Sequence, residues 1–393
     1  MKEGWNTSEL KDICSKYGEY GMSVPSKPFD GIRYLRITDI TDNGSLNPEL
    51  VSAEIENIDD SYRLEIGDVL FARTGATVGK TLVYEESMGP CVYAGYLIRY
   101  KPDQSIILPR FLYYITHSNK YYQWVNKNQK VAAQPNISAK LYNSYKVSYP
   151  SLHEQQQMVD FLDAEFAKID ELKNQAEQSL QNAKDLFQAA LKEMLTPKEG
   201  WKTSTLKDEC YKITDGTHQT PKYFSSGYIF LSSKNVTQRR IDWDNVKYID
   251  NKQHEEMHKR VSPQVGDILL AKNGTTGVAA MVDRDVVFDI YVSLALLRTK
   301  GNVDAEYMLS YINSPMAKEQ FDKRLIGMGV PNLHLGEINQ VTIQYPIDKN
   351  EQIKITKKIH ELDSNIQQLQ SNYTRTIQLC ADLKQALLRQ VFE

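Results

Sequence analysis

The sequence predicts an α+β protein built as one unit written twice, each unit a mixed α/β domain followed by a long helix. Three observations carry this. Residues 153–195 contain neither glycine nor proline, and small or apolar side chains recur at Ile169, Leu172, Ala176, Ser179, Ala183, Leu186 and Ala190. Alternating steps of three and four place these on one narrow seam of a rod roughly 60 Å long at ~1.5 Å per residue, as a coiled coil requires. The C-terminal stretch, 351–392, repeats the pattern at Ile366, Leu369, Tyr373, Thr376, Cys380, Leu383, Leu387 and Val391. A seam cannot bury itself, so the two helices are expected to pair, with Leu172, Ala176, Ala183, Leu186, Leu369, Tyr373, Cys380 and Leu383 at the contact.

The third observation is the repeat itself, the strongest signal in the chain. Glu3-Gly-Trp-Asn-Thr-Ser-Glu-Leu-Lys-Asp returns as Glu199-Gly-Trp-Lys-Thr-Ser-Thr-Leu-Lys-Asp, an offset of 196 from Trp5 to Trp201. Gly67-Asp-Val-Leu-Phe-Ala-Arg-Thr-Gly75 returns as Gly266-Asp-Ile-Leu-Leu-Ala-Lys-Asn-Gly274, Pro135-Asn136 as Pro331-Asn332, and Tyr149-Pro150 as Tyr345-Pro346. The implied domains are 1–152 and 197–349, with the long helices at 153–196 and 350–393. Thr196-Pro197 ends the first helix, because proline lacks an amide hydrogen and restricts the residue before it.

Within the domains, Asp68–Ala72, Tyr96–Tyr100, Tyr145–Tyr149, Asp267–Ala271, Val292–Leu297 and Val341–Tyr345 read as strands. Pro109–Ser118 and Ala305–Asn313 read as helices. The anchors repeat, but residues 15–33 and 41–60 share almost nothing with 211–229 and 237–260. Different insertions on one scaffold predict two binding sites that read different things, against the alternative of neutral loop drift.

Composition is that of an ordinary soluble protein, 41% hydrophobic and 25% charged, with tyrosine over-used at 24 residues against 11 phenylalanines. No apolar run is long enough for a membrane span, and the N-terminus lacks the apolar core of a signal peptide. Cys14, Cys91, Cys210 and Cys380 are far apart and form no CxxC, so a reduced, cytoplasmic setting is expected and no redox motif. A net charge of −3 means that any nucleic-acid surface must be a local patch or be completed by partners.

Most candidate chemistry fails on spacing. Gly75-Ala-Thr-Val-Gly-Lys-Thr81 has three residues between its glycines where a phosphate loop needs four, and its counterpart from Gly274 has no lysine. It reads instead as a strand-to-strand turn that can present Arg73, Thr74, Thr77 and Lys80, or Lys272, Asn273, Thr275 and Thr276, to a polyanion. Those residue types hold phosphates and base edges. His218, in Asp215-Gly-Thr-His-Gln-Thr-Pro-Lys-Tyr223, has no nucleophile implied by spacing. His254 and His258 stand at i, i+4, a spacing that could hold a metal, but they are read as lacking both an HExxH frame and a third ligand and so as a solvated helix face, and no metal set is expected. There is no Pro-Pro pair of the kind an amino-methyltransferase segment uses, and no GxGxxG cofactor loop. The chain is read as one that recognises rather than reacts.

These anchors together resemble the specificity subunit of type I restriction–modification enzymes. The resemblance rests on both EGW…LKD openings, both GD-[VI]-L-[FL]-A-[RK]-[TN]-G segments, DGTHQTPKY, the two PN pairs and the Tyr-Pro…Glu-Gln openings of both helices. It implies two target-recognition domains held apart by the two helices in an antiparallel coiled coil, with pseudo-twofold symmetry. It implies a double-stranded DNA target read as two half-sites, the helices acting as a ruler for the spacer. Modification (methyltransferase) subunits, two in number, and restriction (helicase-nuclease) subunits are the implied partners. S-adenosylmethionine, ATP and Mg are expected there, and no cofactor on this chain. Candidate DNA contacts are Arg73, Thr74, Thr77, Lys80, Gln134 and Asn136 in the first domain, and Thr217, His218, Lys222, Lys272, Asn273, Thr275 and Asn332 in the second. Arg239-Arg240 could grip phosphate or simply be solvated. The alternative reading is a coiled-coil structural adaptor that does not bind DNA.

Overall fold

The computed structural model describes residues 4–41, 44–129, 135–325 and 332–393. The chain divides into two compact units, Met1–Ala176 with Arg375–Glu393, and Glu177–Thr374. Each therefore takes a part of both long helices.

In the first unit four antiparallel strands stand in the order Cys14–Tyr20, Leu97–Pro102, Val69–Ala72, Thr81–Val83. The middle strand, Val-Leu-Phe-Ala, is buried along its whole length. Successive side chains of a strand point to opposite faces, so this strand feeds two cores. Val69 and Phe71 join Ile98, Tyr100, Phe111, Tyr142 and the long-helix residues Val159, Leu162 and Leu388. Leu70 and Ala72 join Leu35, Leu82, Tyr93 and Leu97. The sheet is thus a wall between the repeated half of the domain and the half that carries the divergent segments. Strand Asn6–Glu9 pairs with Lys146–Tyr149, and Arg33–Leu35 lies parallel to Cys91–Tyr93.

The second unit repeats this plan. Its sheet runs Cys210–Asp215, Leu294–Thr299, Ile268–Ala271, Ala279–Met281, and Ile268 and Leu270 face the helix-side core while Leu269 and Ala271 face the other. Trp201–Thr205 pairs with Thr342–Pro346, and Tyr228–Leu231 lies parallel to Phe288–Ile290. Both copies keep an arginine on a buried aspartate: Arg99 with Asp68 at 3.8 Å, and Arg298, partly exposed, with Asp267 at 2.6 Å. All six expected strands are present within about two residues, and Ala305–Ile312 is helical as expected. The first predicted helix stops at Ile115 because Ser118 caps a separate helix, Asn119–Asn128, accepting from the Tyr121 amide.

The long helices span Leu152–Met194 and Lys349–Phe392. In the first unit the start of one meets the end of the other: Val159, Leu162 and Phe166 share a core with Leu387, Leu388 and Val391, and Lys384 Nζ lies 2.6 Å from Asp170. In the second unit Ala183, Phe187 and Leu191 share a core with Ile359 and Ile366. The pairing is therefore antiparallel.

The seam differs from the expected one. Ile169, Ala176, Ala183, Ile366 and Cys380 are buried, and Tyr373 is half-buried. Leu172, Leu186, Leu369 and Leu383, by contrast, are 48%, 58%, 41% and 48% exposed. The second row of the seam lies four residues beyond the first, not three, at Lys173, Leu180 and Phe187. Lysine stems cover apolar surface while their ammonium groups reach water, so the true row looks too polar in sequence.

A buried glutamine in the first turn fixes each helix to its domain. Gln155 accepts from the Leu108 amide (2.9 Å) and donates to the carbonyls of Ile106 and Pro150. Gln352 accepts from the Asp304 amide (2.7 Å) and donates to the carbonyls of Asn302 and Pro346. Both are 0% exposed, and the amide on each is satisfied at both ends, as burial demands.

Candidate nucleic-acid interface

The turn after the central strand and the PN segment meet in both units. In the first, Thr74 and Asn136 form an isolated bridge, Gly75 N donates to the Pro135 carbonyl (3.0 Å), and Ile137 N donates to the Arg73 carbonyl (2.9 Å). In the second, Asn273 bridges Asn332, and Leu333 N donates to the Lys272 carbonyl (3.0 Å). Gly75 and Gly274 have φ of +70° and +78°, a left-handed backbone that glycine adopts without a Cβ penalty. Residues about sixty positions apart are thereby brought together twice.

Both junctions contain polar atoms with no partner among the described residues. Arg73 Nε, Asn273 Oδ1 and Asn332 Oδ1 are three of the six buried orphans of this kind. Buried polar atoms are nearly always hydrogen-bonded, so this clustering singles out the two junctions as candidate contact points.

Around Arg73 the chain forms a groove of about 680 Å³, lined by Met22, Tyr34, Arg36, Thr38, Arg73 and Tyr96 among others. The Arg73 guanidinium lies 4.8 Å over the Tyr20 ring, and Tyr96 is 61% exposed. Stacked arginine and exposed tyrosine are suited to base edges and sugar–phosphate surfaces. Tyr20, Arg36 and Tyr96 were missed in sequence; only the high tyrosine count hinted at them.

The other candidates are placed as follows. Thr77 Oγ1 donates to the Thr74 carbonyl (3.1 Å) and stabilises the turn. Lys80 Nζ lies 3.3 Å from the Ile40 carbonyl, apart from the Arg73–Asn136 pair. Gln134 lies outside the described residues. Lys272 is 4% exposed, and its ammonium sits 2.7 Å from Asp215. Burial opposes ionisation of Asp215, but the Lys272 hydrogen bond and charge outweigh it and hold the carboxyl below its ordinary range. Lys272 is therefore an internal counter-ion. Arg260 also reaches Asp215 (2.8 Å), and His218 stands at 3.4 Å with its ring 61% exposed. Thr217 bridges Tyr291 through the backbone. Lys222 is exposed, its main chain gripped by Gln253 (2.8 and 3.1 Å). Thr275 and Thr276 line a separate groove with Arg239 and Gln188. Arg239 lies over the Phe187 ring at 5.2 Å and is a strut between a divergent loop and the long helix.

Two further sequence expectations meet the structure here. His254 and His258 do not form a solvated face: both rings direct Nδ1 at buried Asp289 (2.7 and 3.2 Å). The four cysteines are free thiols, and burial pushes Cys14, Cys91 and Cys210 up to about 12, 11 and 12, where the reactive thiolate is scarce.

Fold and geometry define a duplicated α+β protein with one turn–Asn junction per copy. The family model for the type I restriction modification DNA specificity domain matches residues 2–182 and again 198–378. The chain belongs to that family and carries its domain twice. It is 26% identical over 197 residues to the type I restriction enzyme EcoBI specificity subunit of Escherichia coli, a match spanning 49% of this chain and 41% of that relative. It is 22% identical over 321 residues to the MjaVIII specificity subunit of Methanocaldococcus jannaschii, spanning 76% and 73%. A solved structure from work on complex assembly and conformational transition of the type I R-M system shares the fold, with TM-score 0.79 at 17% identity over 100% of this chain and 98% of that one. Among the described residues no helix is long and apolar enough to cross a membrane.

Proposed function

We propose that this chain is the DNA-reading subunit of a type I restriction–modification system, binding double-stranded DNA through one junction per unit. The observation that carries this is the doubled turn–Asn junction with its orphaned polar atoms, in a chain whose two halves each match a DNA specificity domain. Arg73, Asn136, Tyr20 and Tyr96 serve one half-site. Asn273, Asn332, Thr217, His218 and Lys222 serve the other. Lys272 acts behind them by neutralising Asp215.

On this reading the chain performs no chemistry. Methyl transfer, with S-adenosylmethionine, and ATP- and Mg-dependent cleavage reside on modification and restriction subunits in the cytoplasm, and the paired helices set the spacer. The exposed Leu172, Leu186, Leu369 and Leu383, set among Gln, Glu and Lys, offer those partners apolar footholds. With a net charge of −3, the partners also supply much of the positive clamp.

The test is binding of the assembled complex to duplex DNA over a salt series. Affinity should fall steeply with salt while keeping sequence preference. Arg73→Ala should cost about 1–3 kcal/mol and relax preference in one half-site only. Binding that is salt-independent, or indifferent to sequence, would remove the proposal.

A further inference from the structure

We propose that His254, His258 and Asp289 form a binding site for one divalent transition-metal ion, zinc being the ion that best suits the donor set. The three ligand atoms lie within 4.8 Å of one another. Both imidazoles already aim the same nitrogen at one carboxylate, His254 Nδ1 at 2.7 Å from Oδ2 and His258 Nδ1 at 3.2 Å from Oδ1. Donors ~2.0–2.2 Å from a tetrahedral zinc stand about 3.3 Å apart, so small adjustments admit the ion. Two imidazoles and a carboxylate favour zinc and its neighbours over calcium or magnesium, which take oxygen ligands. A ligating Nδ1 must be unprotonated, so each ring would hold the ion as its Nε2–H tautomer, and water would fill the fourth position.

The protein contains its own control. Phe288–Ile290 lies parallel to Tyr228–Leu231 as Cys91–Tyr93 lies parallel to Arg33–Leu35, and the registers place Asp289 where the first unit has Val92. Val92 is 0% exposed and Asp289 is 1% exposed. The scaffold accepts valine there, whereas a buried carboxylate is strongly unfavourable unless something compensates it. The compensating element is the helix Asn251–His258, in a segment that diverges between the copies.

That helix is eight residues long and has no fully buried residue. A helix this short is marginal without tertiary anchors. His254, stacked on Tyr228 at 3.7 Å, and His258 are its ties to the sheet. Its sequence, His254-Glu-Glu-Met-His258, also spells the H-E-x-x-H spacing that puts two histidines on one helix face. In hydrolases of that spelling the glutamate works as a base. Here Glu255 is exposed and accepts from Asn251 Nδ2 at 2.7 Å, so the site is assigned a structural role. Gln253 of the same helix holds the main chain of Lys222, and the ion would thereby fix the 215–223 segment. The site itself stands whether or not that segment touches DNA.

The experiment is calorimetric titration of chelator-stripped full-length protein with zinc, paired with the absorption spectrum of the cobalt form. One equivalent should bind, and cobalt should give the visible bands of a low-coordinate nitrogen–oxygen site. Asp289→Val, the residue of the other copy, and the double variant H254A/H258A should each weaken that equivalent at least ~100-fold, the upper end of what losing even an outer partner costs. Far-UV circular dichroism should be unchanged; if Asp289→Val misfolds, Asp289→Asn replaces it. Absence of the equivalent in the native chain, or its survival in these variants, would overturn the proposal and leave only a hydrogen-bonded tether.

Discussion

Gln155 and Gln352 show how a single residue type can carry the joint between domain and helix. Each closes one amide and two carbonyls. Gln352→Leu should therefore destabilise the second unit by about 3 kcal/mol, since leaving buried backbone groups unpaired costs ~1–3 kcal/mol each. Urea denaturation followed by tryptophan fluorescence would show it. Glu209 is the second such case. Burial opposes its ionisation, but hydrogen bonds from Tyr345, Lys202 and Asn302 outweigh that and lower its pKa from 4.5 to about 2. Its folded pKa lies below the unfolded one, so its stabilisation is present above about pH 4.5 and is lost as pH falls towards 2. Glu209→Gln should flatten the acid slope of stability across that window and leave it unchanged above pH 6. Neither role was legible in sequence. The Glu-Gln pair marked both helix openings, but two of each glutamine's three partners lie some fifty residues away.

At the scale of the element, the long helices were legible and their packing faces only in part. Length, absence of glycine and proline, and the rows at Ile169, Ala176, Ala183 and Ile366, Cys380 were all visible. The companion row was misplaced because Leu172 and Leu186 look like core in sequence while Lys173 does not. The packing makes a sharp contrast between neighbours. Phe187→Ala should cost about 3–5 kcal/mol as a core truncation, whereas Leu186→Ala, at 58% exposure, should cost under about 1 kcal/mol. Equal losses in thermal denaturation would restore the seam expected from the sequence. In the divergent helix Asn251–His258 the H-E-x-x-H spelling was legible and was missed, whereas its third partner, Asp289, was not: it is thirty-one residues beyond His258 and lies on a strand. Spacing along a helix cannot reveal such a ligand.

For the whole molecule, the repeat gave most of the architecture. Each anchor falls on a shared structural joint: the central strand, its glycine turn, the PN segment that meets it, the paired edge strands and the helix opening. Tyr20, in a divergent segment, had no guide in sequence, and the placement of Arg36 and the buried pairing of Lys272 with Asp215 emerged only from the fold. The sheet explains why divergence is tolerated, since one face packs against repeated elements and the other against the divergent ones. The central claim is that the two units read two separate half-sites. It is tested most directly by mapping methylated adenines in host cells that carry the native chain, no chain, or Arg73→Ala. The account predicts a two-part motif that disappears without the chain and loses stringency in one part alone with Arg73→Ala. A methylation pattern that is the same in all three would contradict it and favour an adaptor that does not read DNA.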